Sequence, residues 1–326
     1  MKCKKSIFYL IISLIICFLL SNVSTAFAND CIYLGGFPAG FSLETRGAQI
    51  IGLTDVLTEN GVESPCKNAG FEVGDVILSI DDVEVNNALD IEKVLKSQNL
   101  YKVEYLRNGE KQVKYLSPAL DVSNKYKLGI YIRDKINGIG TVTYVKNNRI
   151  ASLGHPVLAD NNNLLQVNNG SILPCEITGC IKGERGKAGE LRGVIQRGNI
   201  LAKVDKNLDS GVFANLLDQS FCKDLIKIEV GSAKIGQASI FTTIRGQSPK
   251  EYDISIVKVD TLNRDTKNFV IKITDEELLD LTGGIVQGMS GSPIVQDGKL
   301  VGAVTHVFIN DPTRGFGISI DKMINN

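Results

Sequence analysis

The chain has 326 residues, which is enough for two domains of ordinary size with buried cores. Hydrophobic residues make up 43% and charged residues 22% of it, a globular composition that excludes a disordered protein. Its 36 basic side chains balance 36 acidic ones, so charge gives little support to nucleic-acid binding. Abundant glycine among short β-branched runs predicts a mainly β protein with tight turns.

Residues 1–28 have the pattern of a signal peptide or an N-terminal membrane segment. A lysine-rich start (MKCKK) precedes an apolar run from Ile7 to Leu20, and the small-residue cleavage pattern AFA follows at residues 26–28. The run has about 14 residues, fewer than the roughly 20 that a membrane-spanning helix needs. Whether or not this segment is cleaved, we expect the rest of the chain to be exported across the membrane.

Residues 33–118 form the first predicted domain. In CKNAGFEVGDVILSIDDVEVNN, Gly74-Asp75 predicts a tight turn and Val76–Ile80 a buried strand. Apolar residues at helical spacing between residues 89 and 95 predict a helix, and another strand follows at Lys102–Leu106. This order and the AGFxxGDVILSID pattern resemble the PDZ domains of bacterial proteases. The resemblance implies binding of an extended peptide, which joins the edge of the sheet as an added strand.

Two interpretations of the stretch GGFPAGF, Gly35–Phe41, remain open. In PDZ domains a glycine-containing loop holds the peptide carboxylate with backbone amides, and this stretch resembles that loop, although Pro38 removes one amide donor. The same glycines are equally consistent with ordinary turns. A polar stretch at Val122–Tyr126 marks the boundary to a second domain, residues 126–326.

The second domain consists mainly of short β-rich runs, which predict an all-β barrel or sandwich. Near its end, in GMSGSPIVQDGKLVGAVTHV, Asp297-Gly298 between two apolar runs predicts a tight hairpin. Ser290 precedes this hairpin and is flanked by Gly288 and Gly291, which permit unusual backbone angles. The spacing allows the amides of Gly288 and Ser290 to converge on one oxygen as an oxyanion hole.

A serine nucleophile needs a base, and the chain has two histidines. His155, in SLGHPV, precedes the serine and lies at the edge of a glycine turn. His306 follows Ser290 within a predicted strand, where it would line or back the substrate cleft. We therefore favour His155 as general base toward the Ser290 hydroxyl and as acid toward the leaving amine.

The GMSGSP motif, its hairpin and the following GFGISID resemble the trypsin-like serine peptidases, whose signature is G-x-S-G-G-P. Ser292 stands where the wider pattern has glycine. The PDZ domain, GIGTVTYV with SLGHPV, and TGGIVQGMSGSPIVQDGKLVGAVTHVFINDPTRGFGI together are similar to the sporulation stage IV B serine peptidases of spore-forming bacteria. The implied fold is mainly β, with an N-terminal PDZ domain followed by a trypsin-like double β-barrel peptidase domain.

The family resemblance implies Ser290 and His155 as catalytic residues and Asp275, in the ITD motif, as the acid that orients the imidazole. In most trypsin-like enzymes the acid lies further upstream, in the first barrel. Asp205, about 50 residues after His155, suits that spacing better and stays as the alternative.

No cofactor or metal is expected. Beyond the N-terminal segment five cysteines remain, and Cys175 and Cys180 either bridge or are buried apolar residues. A zinc site would need about four suitable ligands, and no second pair or nearby histidine offers them. The glycine-rich basic stretch Lys182–Gly193 lacks the ending of a phosphate-binding loop and predicts a mobile surface loop.

The resemblance implies a self-processing serine endopeptidase acting between the mother cell and forespore membranes. There the family cleaves a membrane-bound regulator and so activates a late sporulation sigma factor. The PDZ domain would bind a peptide, including the chain's own N-terminal region, and nucleic acid is not an expected partner. The alternative from another class is a catalytically silent PDZ adaptor whose barrel is a binding scaffold. Self-cleavage and labelling by a fluorophosphonate discriminate the two.

Overall fold

The computed structural model describes residues 31–159, 164–260, 262 and 266–325, so the signal segment predicted at residues 1–28 lies outside the described residues. The chain from Ile32 onward forms one compact unit. Within the described residues, no helix is both long and apolar enough to cross a membrane. Cys175 and Cys180 are both free thiols, so they form no bridge with each other.

Strands account for most of the regular structure. The strands up to the middle of the chain are β1 (Ile32–Leu34), β2 (Pro38–Leu53), β3 (Val56–Thr58), β4 (Gly61–Glu63), β5 (Val76–Ile80), β6 (Val83–Glu84), β7 (Tyr101–Arg107), β8 (Glu110–Leu116), β9 (Ala119–Leu120), β10 (Tyr126–Lys127), β11 (Ile130–Lys146) and β12 (Arg149–Ser152). The later strands are β13 (Val167–Ile181), β14 (Glu190–Ile195), β15 (Ala202–Leu208), β16 (Gly211–Leu216), β17 (Lys227–Val230), β18 (Gly236–Thr242), β19 (Lys250–Val259), β20 (Phe269–Ile273), β21 (Pro293–Gln296), β22 (Lys299–Phe308) and β23 (Asp311–Ser319).

The helices are short. They are α1 (Pro65–Asn68), α2 (Ala88–Val94), α3 (Glu276–Thr282), α4 (Ile320–Ile324) and a 3-10 helix at Gln219–Asp224. The prediction of a mainly β protein is confirmed.

Six antiparallel strands close into a first barrel. Each strand pairs with the next in the order β2, β13, β15, β16, β12 and β11, and β11 pairs back with β2. Its interior is filled by apolar side chains, and along β15 the buried Ala202 and Val204 alternate with the exposed Lys203 and Asp205. The core residues include Phe41, Leu43, Val142, Ile150 and Ile172.

A second barrel closes in the same way from the C-terminal strands. The order is β18, β19, β20, β23, β22 and β21, with β21 pairing back to β18, and all six pairings are antiparallel. The predicted Asp297-Gly298 turn joins β21 and β22, and both residues have positive φ, 52° and 73°. Two closed six-stranded barrels confirm the predicted double-barrel peptidase fold.

The PDZ domain is inserted between the first two long strands of barrel 1. The ends of β2 and β11 that lie outside the barrel pair with each other, and β2 also pairs with β5. β5 then pairs with β7, and β7 with β8. The two long strands have 16 and 17 residues, which is roughly 50 Å at about 3.3 Å per residue, enough to run through both domains.

This insertion changes how the N-terminal strands are assigned. The sequence analysis placed residues 33–118 in the PDZ domain, but residues 38–45 pair with barrel strands β11 and β13. The stretch Gly35–Phe41 is therefore not a PDZ ligand loop. Phe37 and Phe41 are buried in the barrel core, and the Gly35 amide donates to the carbonyl of Thr143. The sequence has no turn signal where β2 leaves the barrel, because one strand serves both domains.

Candidate active site

Ser290, the predicted nucleophile, lies on a turn that packs closely against barrel 1. Ser290 follows α3 and precedes β21, between Gly288 at φ 97° and Gly291 at φ 94°. A Cβ atom on Gly291 would lie 2.1 Å from the Thr141 carbonyl oxygen and 2.5 Å from the Leu153 nitrogen. Only glycine fits there, because both the positive φ and the close approach of backbone exclude a side chain.

The predicted base lies on a second tight turn, which packs against barrel 2. After β12, Leu153 and Gly154 both adopt left-handed backbone angles, φ 67° and 68°, and His155 follows. A Cβ atom on Gly154 would lie 3.0 Å from the Thr305 methyl group. The Ser290 hydroxyl contacts the same residue, since it donates a hydrogen bond to the Thr305 carbonyl oxygen at 2.7 Å. Both turns therefore contact the same residue of β22.

The hydrogen bonding of His155 sets its tautomer. Nδ1 lies 2.8 Å from the carbonyl oxygen of Pro156, which can only accept, so Nδ1 carries the proton. The lone pair is then on Nε2, which is the nitrogen that a general base uses in this type of site. Burial lowers the pKa of His155, and the bond to Pro156 opposes this effect. The imidazole is therefore neutral near pH 7 and able to take a proton.

His306 lies beside His155. The two ring centroids are 4.8 Å apart with an interplanar angle of 39°. Desolvation, followed by the charges of His155 and Lys267, lowers the pKa of His306 to about 4, although His306 is exposed and water screens part of this effect. His306 thus lines the site as a neutral ring, as the sequence analysis expected of the histidine not chosen as base.

The serine hydroxyl does not yet face the imidazole. Its proton is directed at the Thr305 carbonyl, and among the described residues no hydrogen bond joins the hydroxyl to the His155 ring. Catalytic hydrogen bonds are often absent or long in free enzymes and form in the substrate complex. The arrangement is that of a resting site.

Both amides predicted to form the oxyanion hole are free to donate. Among the described residues, neither the Gly288 nor the Ser290 N–H donates a hydrogen bond to the protein. Their turn is instead held through its carbonyl groups. The Thr141 amide donates to the Ser290 carbonyl at 3.0 Å, and the Thr143 hydroxyl donates to that of Gly291 at 2.8 Å.

The structure does not bring Asp275 to His155. Asp275 is the N-cap of α3, and its Oδ1 accepts from the Leu278 amide at 2.9 Å. Its other oxygen accepts from the Asp253 amide at 3.3 Å. In the described part of the chain no carboxylate contacts the His155 ring. The ITD motif therefore ends a strand and begins a helix, which is a structural reason for an aspartate there.

Asp205 is not the partner either. It forms an ion pair with Arg149, with 2.7 Å between Nη2 and Oδ2. Two residues further along β15, the buried Asn207 side chain accepts from the Val157 amide and donates to the carbonyls of Val157 and Leu165. These bonds hold the segment after His155. The sequence analysis missed Asn207 because it searched only for carboxylates at this spacing.

The stretch Lys182–Gly193, predicted as a surface loop, is exposed at residues 184–187, and its later part packs against the serine turn. The Leu191 amide donates to the Gln287 carbonyl, and the Gln287 amide donates to Gly189, both at 2.8 Å. The Gly183 amide also donates to the carbonyl of Thr282 at 2.8 Å. The glycines allow this close approach, since a Cβ on Gly189 would lie 2.4 Å from the Gly183 nitrogen.

An apolar groove of about 410 Å³ lies in the PDZ domain between α2 and the start of β11. Ile91 and Leu95 form one wall, and residues 128–132 form the other. Leu57 and Val122 line the same groove and are 59% and 58% exposed, so its rim is apolar. The groove thus lies between a helix and a strand of the PDZ domain and is open to solvent at an apolar rim.

Comparison with known families agrees with this division of the chain. A family model described as SpoIVB peptidase S55 matches residues 124–324, more than half of the chain, and a PDZ domain model matches residues 47–114. The chain belongs to the SpoIVB peptidase S55 family. This confirms the resemblance stated from the sequence and identifies the protein as a PDZ-containing serine endopeptidase.

More distant structures resemble this S55 peptidase only loosely. The crystal structure of the Rv3671c protease in an inactive form is 13% identical, with a TM-score of 0.34, and the match covers 57% of this chain and 81% of that one. The active form from M. tuberculosis is 12% identical, with a TM-score of 0.33 and coverage of 58% and 72%. No curated protein sequence matches the chain. These scores are too low to add to the fold assignment.

Proposed function

We propose that Ser290 and His155 carry out peptide-bond hydrolysis in this S55 peptidase. His155 Nε2 takes the Ser290 proton as the hydroxyl attacks the scissile carbonyl, and the Gly288 and Ser290 amides bind the resulting oxyanion. His155 then gives the proton to the leaving amine, and a water molecule releases the acyl group by the same steps. The supporting observation is that two glycine turns, one from each barrel, meet at Thr305 with the base in its required tautomer.

The biological role proposed is that of a self-processing signalling peptidase. The protein is exported by its N-terminal segment and acts in the space between the mother cell and forespore membranes. There it cleaves a membrane-bound regulator, which leads to activation of a late sporulation sigma factor. Family membership and the signal-like pattern of residues 1–28 support this proposal.

The PDZ groove is proposed to select the substrate or the chain's own N-terminal region. Its apolar walls, Ile91 and Leu95 on one side and Leu128 on the other, suit a peptide with an apolar side chain. An added strand along the start of β11 would supply affinity through backbone hydrogen bonds.

Self-cleavage of the full chain tests the catalytic part of the proposal. Wild-type protein is expected to shorten with time, and Ser290→Ala to stay intact because no nucleophile remains. Ser232→Ala is the matched control, since Ser232 is exposed and lies outside the site. Processing that persists in Ser290→Ala contradicts the mechanism. A wild-type chain that neither processes itself nor reacts with a fluorophosphonate is instead the silent PDZ adaptor.

A further inference from the structure

The oxyanion hole depends on the orientation of two peptide planes, and each plane is fixed from its carbonyl side. In a trans peptide the carbonyl and the N–H point in opposite directions, so a hydrogen bond to the carbonyl directs the N–H. The Gln287 carbonyl accepts from the Leu191 amide at 2.8 Å, which points the Gly288 N–H away from β14. The Met289 carbonyl determines in the same way where the Ser290 N–H points.

Ser292 supplies two bonds to the Met289 carbonyl. Its amide donates at 3.0 Å and its hydroxyl at 2.7 Å. The side chain is fully buried, and among the described residues its hydroxyl donates to no other group. Glycine, which occupies this position in the wider G-x-S-G-G-P pattern, would offer only the amide.

The intervening plane is held from barrel 1. In the peptide plane between Gly288 and Met289, the Gly288 carbonyl accepts from the Thr141 hydroxyl at 2.8 Å. The Met289 amide of the same plane donates to the Val286 carbonyl at 3.1 Å. The Met289 side chain is itself fully buried in the core of barrel 2. All three peptide planes between Gln287 and Ser290 are therefore set before substrate arrives.

We propose that Ser292 is a positioning residue that presets the oxyanion hole. Its hydroxyl holds the Met289 carbonyl so that the Ser290 amide points into the site. The Thr141 hydroxyl fixes the Gly288 carbonyl of the neighbouring plane, whose Met289 amide donates to the Val286 carbonyl. A preset donor costs no reorganisation when charge develops on the substrate oxygen. This inference rests on the serine mechanism proposed above.

Ser292→Ala removes the hydrogen bond from the Ser292 hydroxyl to the Met289 carbonyl and keeps the one from the backbone amide. For a fluorogenic peptide that the wild-type protein cleaves, kcat is expected to fall about tenfold while KM stays unchanged, since the variant populates misdirected planes. Loss of a donor itself costs more, roughly 10²–10³ in kcat. Affinity for a peptidyl trifluoromethyl ketone, whose adduct places an oxyanion in the hole, is expected to fall by the same factor as kcat.

Two further variants separate positioning from folding. Thr243→Val is the matched control, because Thr243 is buried and its hydroxyl donates at 3.0 Å to the Gly36 carbonyl, not to a carbonyl of the serine turn. It is expected to lower the melting temperature without changing kcat. Ser292→Thr retains the hydroxyl and is expected to recover kcat. If Ser292→Ala does not fold, Thr141→Val tests the neighbouring plane with the same readouts.

The outcomes distinguish this inference from the mechanism beneath it. A wild-type protein that a fluorophosphonate does not label overturns the serine mechanism and with it the role of Ser292. A labelled, active wild type beside a Ser292→Ala variant with unchanged kcat and ketone affinity overturns the role of Ser292 alone. A parallel fall in kcat and melting temperature in both Ser292→Ala and Thr243→Val also overturns it.

Discussion

The serine turn and the histidine turn meet at one site but are held by different means. Around Ser290 each consecutive carbonyl from Gln287 to Gly291 accepts a hydrogen bond, and the donors come from β11 of barrel 1, from β14 and from the turn itself. The histidine turn has left-handed backbone at Leu153 and Gly154, and its ring bonds to the Pro156 carbonyl. Amide-to-carbonyl bonds within and next to the turn and the Asn207 side chain beyond it hold the rest. The backbone is therefore fixed most tightly around Ser290, where negative charge develops on the substrate oxygen.

The difference also concerns charge. A buried carboxylate in a triad holds the tautomer and stabilises the imidazolium that forms in the transition state. Here the Pro156 carbonyl holds the tautomer, but a neutral carbonyl offers less stabilisation of a positive ring. Asn207 and the His306 ring position the histidine segment without adding a negative charge. In the described part of the chain, Ser290 and His155 are thus held as a dyad by backbone and neutral side chains, with no carboxylate bonded to the imidazole.

The largest expected effect comes from removing the base. His155→Ala is expected to lower kcat by about 10⁴–10⁶-fold, since loss of the histidine in a comparable site costs as much as loss of the whole triad. His306→Phe keeps a ring beside His155 and is expected to retain most of the activity. Steady-state kinetics on one peptide substrate measures both variants.

The two variants control for each other, because each changes one of the two neighbouring histidine rings. If His306→Phe is the more damaging variant, the two histidines have been assigned in the wrong order. Unchanged labelling of Ser290 by a fluorophosphonate in His155→Ala would likewise contradict a role for His155 in activating the hydroxyl.

A smaller effect is expected in the pH dependence of kcat/KM. It should reflect the titration of His155, since the serine turn carries no titratable side chain. Neutral His155 is the active form, and burial lowers its pKa from the ordinary value of 6.5. The acidic limb of kcat/KM is therefore expected below pH 6.5. A limb at or above pH 6.5 would indicate a carboxylate partner in the working enzyme.

The same shift affects stability. Below pH 6.5 the unfolded chain binds protons on both histidines that the folded chain does not yet bind, because the pKa of His306 is also lowered, to about 4. The free energy of unfolding is therefore expected to fall as the pH decreases from 6.5 toward 4. Denaturant unfolding at several pH values measures this, and His306→Phe should flatten part of the decrease.

The sequence was sufficient for the parts of the fold that depend on local pattern. The PDZ motif, the Asp297-Gly298 hairpin and the glycines around Ser290 each carry a local conformational requirement, and the structure has them as expected. Long-range pairing has no such signal. Nothing local shows that β2 and β11 serve two domains, or that Ser292 bonds back to Met289. Of the two interpretations of Gly35–Phe41, the PDZ ligand loop was wrong, because these residues pair within barrel 1 and no local signal marks that pairing.

The smallest expected effect concerns Asp275, on which dyad and triad differ most. As an N-cap its carboxylate bonds to the Leu278 amide, and asparagine makes the same bond. Asp275→Asn is therefore expected to leave kcat and stability near wild type. Asp275→Ala should lower the free energy of unfolding by about 1 kcal/mol while kcat changes little.

A catalytic triad predicts a different result for Asp275→Asn. There an Asp→Asn change costs about 10⁴-fold in kcat, because the imidazole is left in the wrong tautomer. Such a loss in Asp275→Asn would mean that the carboxylate reaches His155 once substrate is bound, and that the resting structure holds the acid apart from its base.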